Sequence, residues 1–162
     1  MICNDYTSPN YNDRVNDCAP SMIVIHYTGM KTAQAALQRL CDPEAEVSAH
    51  YVIDEDGTLY QLVPEGKRAW HAGVSEWEGC TDINSASIGI ELVNPGHEFG
   101  YRPFPHEQMA ALAKLCKDIM SRHEIGAVLG HEDVAPGRKQ DPGELFDWFW
   151  LDQHGVPNIH AG

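Results

Sequence analysis

Two short apolar runs, each followed by a histidine, most constrain how this chain can fold. Residues 22–25 (Met-Ile-Val-Ile) lead into His26, and residues 127–129 (Ala-Val-Leu) lead through Gly130 into His131. Short β-branched runs that are bounded by a glycine turn are typical of buried strands. Strand ends are where α/β folds collect reactive side chains, because the sheet holds those side chains rigidly while loops close around them. The pattern predicts a sheet with both histidines at its functional edge.

The other periodicities predict strands that alternate with helices, and hence an α/β fold with a mixed sheet flanked by helices. Apolar residues at helical spacing predict a helix over 32–40, capped by Thr32, and another over 105–123. Further strands are predicted over 50–53, 58–63 and 87–93. The Asp-Gly pair at 56–57 predicts a tight hairpin turn. The acidic residues of that turn lack the spacing of a calcium-binding loop.

The length of 162 residues suits one ordinary domain with its own core. The domain is predicted to span residues 21–150. Residues 1–20 are rich in Asn, Asp, Ser and Pro, and we expect an irregular N-terminal lead-in there. Residues 151–162 are predicted to form a C-terminal tail.

Charge and cysteine content narrow the classes of function. A net charge of −13, with 11 basic and 24 acidic residues, argues against a nucleic-acid partner. No apolar run approaches the roughly 18 residues that a membrane span needs. The N-terminus has neither the basic nor the apolar region of a secretory signal. Five scattered cysteines favour a reducing compartment. We therefore predict a cytoplasmic location, with a periplasmic or secreted one as the alternative if a signal peptide was removed.

Asp141 is a third candidate for the site of the two histidines. It follows His131 by ten residues, in a loop with proline and glycine near both ends, and such a loop can return Asp141 to His131. Two imidazoles and one carboxylate leave the fourth corner of a tetrahedron to water, which is the arrangement of a catalytic Zn²⁺. The chain has nine histidines, so roles in capping or packing stay open for His26 and His131 on this pattern alone.

Five motifs resemble the N-acetylmuramoyl-L-alanine amidase family, and within it the wall-recycling-type subgroup. The motifs are residues 25–29, 47–51, 68–75, 87–91 and 130–143. They follow the family's order and cover roughly residues 20–148. The resemblance implies the zinc amidase fold shared with peptidoglycan recognition proteins. It also implies hydrolysis of the amide between N-acetylmuramic acid and L-alanine in peptidoglycan or muropeptides, with the 1,6-anhydro form as one candidate.

The resemblance implies a role for each residue of the reaction centre. His26, His131 and Asp141 would bind Zn²⁺, which activates water and polarises the scissile carbonyl. Glu91 would exchange protons with that water and with the leaving amine; an outward-facing strand glutamate is the alternative. Lys139 would stabilise the developing oxyanion, and a solvated loop lysine is the alternative.

Three residues are predicted to bind substrate: Trp70, His71 and Asn94. A half-buried loop pair is the alternative for Trp70 and His71, and a turn asparagine is the alternative for Asn94. We expect His50 to be structural or to orient a neighbour. Ala49 stands where some phage members have a catalytic tyrosine, which favours the subtype that depends on glutamate.

Two other functions stay open: a peptidoglycan-binding module without turnover, and an exported or phage-derived lytic enzyme that acts on polymeric wall. The combination of Asp141, Glu91 and Lys139 favours an enzyme, because a binding module needs none of them. The residues after Asp147 contain no wall-anchoring repeat, so soluble muropeptides are the expected partners.

Overall fold

A six-stranded mixed sheet contains both of the strands that lead to the histidines, in a computed structural model that describes residues 1–161. The strands are β1 (Ile2–Cys3), β2 (Tyr11–Asp13), β3 (Met22–Tyr27), β4 (Tyr51–Ile53), β5 (Leu59–Gln61), β6 (Lys67–Ala69), β7 (Ser87–Leu92) and β8 (Ala127–Gly130). The α-helices are α1 (Ala33–Leu40), α2 (Ile83–Ala86), α3 (His106–Arg122), α4 (His131–Val134) and α5 (Trp148–Gln153).

The strand order in the main sheet is β1-β5-β4-β7-β3-β8. Four neighbouring strands, β4, β7, β3 and β8, run parallel. Strands β4 and β5 form the predicted antiparallel hairpin, and Gly57 in its turn has φ +90°, a conformation that favours glycine. The remaining pair, β2 and β6, forms a separate antiparallel ribbon. The predicted α/β fold with a mixed sheet is confirmed.

The alternation of side chains along the central strands decides which residues face the site. Ile23 and Ile25 of β3 pack in the same core as α3 and α5, whereas Val24 packs on the opposite face. The same period of two places the apolar residues of β7 against α3, and Gly89 and Glu91 on the face of Val24. One face of the sheet is therefore devoted to the core, and the other face contains the functional side chains.

The helices begin and pack as the sequence predicts. The hydroxyl of Thr32 accepts a hydrogen bond from the Ala35 amide at 3.1 Å and caps α1. The apolar residues of α3 at positions 109, 112, 113, 116 and 119 are buried. No helix within residues 1–161 has the length and apolar character needed to cross a membrane.

The N-terminal lead-in contains two short strands within mostly irregular backbone. Strand β1 pairs with β5, and β2 pairs with β6, so these short segments take their structure from partners distant in the chain. The buried guanidinium of Arg14 reinforces the attachment. It donates to the carbonyl oxygens of Glu65, Asn84, Ser85 and Ser87. Five N–H donors on a planar fork can bond several carbonyls at once, which a shorter or less rigid cation cannot do.

The C-terminal boundary predicted at residue 150 falls inside α5. Beyond this helix, the His160 ring stacks on Trp148, and its Nε2 lies 2.8 Å from Asp133 Oδ2. The division into lead-in, domain and tail stays a prediction.

A partly buried ionic cluster joins the end of α3 to the sheet. The Glu65 carboxylate accepts hydrogen bonds from the hydroxyl of Tyr51, the guanidinium of Arg122 and the ring of His123. Burial alone would raise the pKa of Glu65, and the bonds from Arg122, Tyr51 and His123 more than offset it and lower that pKa to about 2.

Candidate metal centre and active site

Three buried side chains converge at the end of β3 and β8. His26 Nδ1 lies 2.9 Å from His131 Nδ1 and 3.3 Å from Asp141 Oδ2, and His131 Nδ1 lies 3.2 Å from the same carboxylate oxygen. No other group of metal-ligating side chains with this compactness occurs within residues 1–161. The structure brings together the three residues predicted to bind the metal.

Strand register and loop packing explain this convergence. Ile25 of β3 pairs with Gly130 of β8, so the histidine that follows each of them lies beside the other. The loop after His131 folds back because the Glu132 amide donates to the Asp141 carbonyl at 2.9 Å. Gly130 permits this approach, since a Cβ at that position would lie 2.7 Å from Pro142 Cδ.

The hydrogen bonds of His131 indicate what the centre can bind. His131 Nε2 lies 2.9 Å from the Ala72 carbonyl oxygen, which can only accept, so this nitrogen carries a proton. In that tautomer, Nδ1 is a lone pair that faces the Asp141 carboxylate oxygen. A cation between these two acceptors would stabilise their close approach. Tetrahedral Zn²⁺ holds its nitrogen and oxygen ligands ~3.3–3.5 Å apart. The observed separations of 2.9, 3.3 and 3.2 Å equal this range or fall slightly below it, so this donor set could hold such an ion after a small outward shift.

Glu91 lies beside this centre on the neighbouring strand. It pairs in register with His26, and its side chain points to the same face of the sheet. Its Oε2 atom is buried and has no hydrogen-bond partner among the described residues. Burial and the Asp141 carboxylate raise the pKa of Glu91 well above its ordinary value, and Lys139 opposes the shift. A buried, unpaired carboxyl group costs stability, so its presence beside a metal site points to function.

A cavity of about 290 Å³ opens over the centre. The metal-site residues, Glu91 and Lys139 all line it. Lys139 lies on the exposed rim of this cavity. A second cavity of about 320 Å³ shares Trp70, His131 and Lys139 with the first and extends the groove. The arrangement offers a metal site, a carboxylate and an ammonium group to one bound molecule.

Comparison with known proteins agrees with this chemistry. The family model described as N-acetylmuramoyl-L-alanine amidase matches residues 16–144. The chain belongs to the N-acetylmuramoyl-L-alanine amidase family. The family and subgroup that the five motifs predicted are confirmed, and with them the enzyme class.

Two relatives in Escherichia coli (strain K12) show the extent of the similarity. N-acetylmuramoyl-L-alanine amidase AmiD is 42% identical over 149 residues, which cover 83% of this chain and 53% of AmiD. This chain therefore spans about half the length of AmiD. 1,6-Anhydro-N-acetylmuramyl-L-alanine amidase AmpD is 36% identical over 159 residues, which cover 87% of this chain and 85% of AmpD.

Solved structures of an AmpD and of E. coli AmiD share the fold. A selenomethionine AmpD derivative matches with a TM-score of 0.83 at 34% identity, over 93% of this chain and 92% of that chain. AmiD from E. coli, in complex with the substrate anhydro-N-acetylmuramic acid-L-Ala-D-gamma-Glu-L-Lys, matches with a TM-score of 0.76 at 36% identity. That match covers 98% of this chain and 63% of the AmiD chain.

The three residues predicted to bind substrate differ in position. Trp70 lines both cavities, and its Nε1 donates to Asn12 Oδ1 at 3.0 Å, so its substrate role stays a prediction. Asn94 is fully buried; its amide group donates to the Arg102 carbonyl and accepts from the Gly96 amide. A side chain bonded in this way stabilises a turn, so the predicted contact with substrate does not fit Asn94.

His71 lines both cavities, and its substrate role stays a prediction. Its ring is buried at the base of the groove, and both nitrogens bond inside the protein: Nδ1 with His26 Nε2 at 2.9 Å, and Nε2 with Ser87 Oγ at 3.0 Å. A contact with substrate would therefore involve the edge of the ring rather than its nitrogens. Ser87 was missed by the sequence argument, and its place at the first position of a strand that leads to Glu91 was the only signal for it.

Proposed function

We propose that this protein is a zinc-dependent amidase that hydrolyses the bond between the lactyl group of N-acetylmuramic acid and L-alanine in soluble muropeptides. One observation carries the proposal: three atoms placed to bind one metal ion lie beside Glu91, whose Oε2 atom is buried and unpaired, in one cavity. A binding module needs neither the cation nor the unpaired carboxylate, and Glu91 would destabilise such a module without benefit.

His26, His131 and Asp141 would hold the ion. When bound, zinc lowers the pKa of water from about 15.7 towards about 7 and polarises a carbonyl oxygen. Glu91 would accept the proton of the attacking water through its carboxylate and return it to the amide nitrogen as the C–N bond breaks. Lys139 donates a hydrogen bond to the oxyanion that forms on the carbonyl. The products are a free lactyl carboxylate and a stem peptide with a free amino terminus.

The proposed substrate rests on relatives and on the groove. AmiD is crystallised with an anhydromuramoyl tripeptide, and AmpD is named for the 1,6-anhydro form. Two connected cavities that meet at Trp70 and Lys139 provide space on both sides of the scissile bond, one for the sugar and one for the peptide. We therefore propose the 1,6-anhydro form as the preferred substrate. A cytoplasmic location stays a prediction.

The test is hydrolysis of a defined substrate. The purified protein, loaded with one equivalent of Zn²⁺, is incubated with 1,6-anhydro-N-acetylmuramoyl-L-Ala-D-γ-Glu-L-Lys, with the matching non-anhydro muropeptide, and with intact wall sacculi. Mass spectrometry follows the free stem peptide. We expect release from the anhydro muropeptide, loss of release in His131→Ala, and zinc binding without turnover in Glu91→Ala.

Other results would redirect the proposal. No release by the wild type from any of the three would leave a binding module as the better account. Faster release from sacculi would favour a lytic enzyme. Release that survives His131→Ala would refute the metal assignment.

A further inference from the structure

A chain of hydrogen bonds runs from the backbone of α2 to the metal centre. Ser87 Oγ lies 2.6 Å from the Ile83 carbonyl oxygen, His71 Nε2 lies 3.0 Å from Ser87 Oγ, and His71 Nδ1 lies 2.9 Å from His26 Nε2. All three side chains are buried. The chain ends at a predicted metal ligand and begins at a carbonyl that can only accept.

This carbonyl determines the direction of every bond in the chain. The Ser87 hydroxyl has one hydrogen, and it donates that hydrogen to Ile83, a bond four residues back that is common for serine at a helix end. Ser87 Oγ must then accept from His71, so the proton of the neutral His71 ring is on Nε2. His71 Nδ1 is therefore a lone pair, and it accepts from His26 Nε2. The remaining nitrogen of His26, Nδ1, is left without a proton.

His71 is buried and is held in place by its bonds to His26 and Ser87. His71 also packs on bare backbone, because a Cβ on Gly89 would lie 2.5 Å from His71 Cγ.

We infer that His71 is a positioning residue, which, with Ser87, fixes the tautomer and ring orientation of His26 so that Nδ1 points to the metal as a lone pair. This inference rests on the proposed zinc site. Metal-binding histidines almost always donate their second N–H to a carboxylate, a carbonyl or water. His131 follows that rule through Ala72. His26 instead donates to the imidazole of His71, which could exist in either tautomer. Ser87 selects one of them, because its oxygen accepts the proton on His71 Nε2.

Two matched substitutions separate positioning from packing. His71→Leu removes the acceptor, frees the His26 N–H and lowers zinc affinity by about 10–100-fold. His71→Asn keeps an acceptor oxygen near the position of Nδ1 and restores the affinity to within a few fold of the wild type. His123→Asn is the control: His123 is a half-buried histidine that bonds the Glu65 carboxylate, without contact to His71 or to a metal ligand. It leaves zinc affinity unchanged.

Zinc affinity is measured by competition with a chromophoric chelator, and the tautomers by long-range ¹H–¹⁵N NMR of the histidine rings. In the zinc-loaded wild type we expect a proton on His26 Nε2 and on His71 Nε2. Ser87→Ala should mix the tautomers of His71. A wild-type spectrum with the proton of either ring on Nδ1 would overturn the inference, as would unchanged zinc affinity in His71→Leu. A wild type that binds no zinc would instead refute the proposed function.

Discussion

The substitution Gly89→Ala tests the packing of His71 without touching any polar group. Gly89 lies in β7 outside the left-handed region, so alanine is compatible with its backbone, and the only obstacle is steric. The new Cβ would lie 2.5 Å from His71 Cγ, 2.6 Å from Cδ2 and 2.7 Å from Nδ1. Carbon atoms in contact normally lie ~3.5–4.0 Å apart. The ring must therefore move by about 1 Å.

Such a movement has two measurable consequences. Forced overpacking of a core costs about 1–3 kcal/mol, so the free energy of unfolding of the metal-free protein should fall by that amount. The 2.9 Å bond from His26 to His71 would lengthen beyond hydrogen-bonding distance, and zinc affinity should fall about 10–100-fold. Urea denaturation and chelator competition measure the two effects separately.

Two further variants complete this experiment. Gly66→Ala is the control, because a Cβ there meets nothing within 4 Å, and its effect should stay within about 0.5 kcal/mol. In Gly89→Ala/His71→Ala the clash is gone, so the two costs should be less than additive by about 1–3 kcal/mol. If Gly89→Ala has the same free energy of unfolding and the same zinc affinity as the wild type, the His71 ring does not pack against Gly89, and the prediction is refuted.

Three other predictions follow from the buried charges. Glu91→Gln should lower turnover by about 10²–10⁴-fold, because the proton acceptor is lost. It should also raise the free energy of unfolding by about 1 kcal/mol, because a neutral amide replaces an unpaired carboxyl group. A loss of both stability and turnover would contradict this prediction. Arg14→Met should lower the free energy of unfolding by about 3–5 kcal/mol, because several buried carbonyls lose their donor. Arg14→Lys should restore little of the lost stability, because lysine lacks the planar fork of donors. Urea denaturation measures the stability of both variants. Glu65 has its pKa lowered to about 2 in the folded protein, so its contribution, at most about 3 kcal/mol, is present above about pH 4.5 and is lost as the pH falls towards 2. The difference in unfolding free energy between the wild type and Glu65→Gln should therefore shrink between pH 7 and pH 3, and a constant difference would contradict the cluster.

Much of the fold could be predicted because local pattern and tertiary structure agree. The β-branched runs before His26 and His131 form adjacent parallel strands, the Asp-Gly pair makes its hairpin, and Thr32 caps its helix. The convergence of His26, His131 and Asp141 was predictable from strand ends and a constrained loop. The distances between these residues could not be predicted, because they depend on the strand order, which no local pattern shows.

The remaining features depend on partners far along the chain. Strands β1 and β2 are two and three residues long and polar in part, so they carry no periodicity of their own. Arg14 lies in a polar segment, and its burial depends on carbonyls some 50–70 residues away. For His71 a signal did exist: a lone glycine inside a strand, Gly89, marks a close approach of another group. The identity of that group was not in the pattern.

The central claim is that one zinc ion binds to three particular atoms. A crystal structure of the zinc-loaded protein, with anomalous data on both sides of the zinc absorption edge, measures this directly. We predict a single anomalous peak ~2.0–2.2 Å from His26 Nδ1, His131 Nδ1 and Asp141 Oδ2, with Glu91 close by but not bound to it. A zinc peak on other residues, or ligation of His26 through Nε2, would contradict the account.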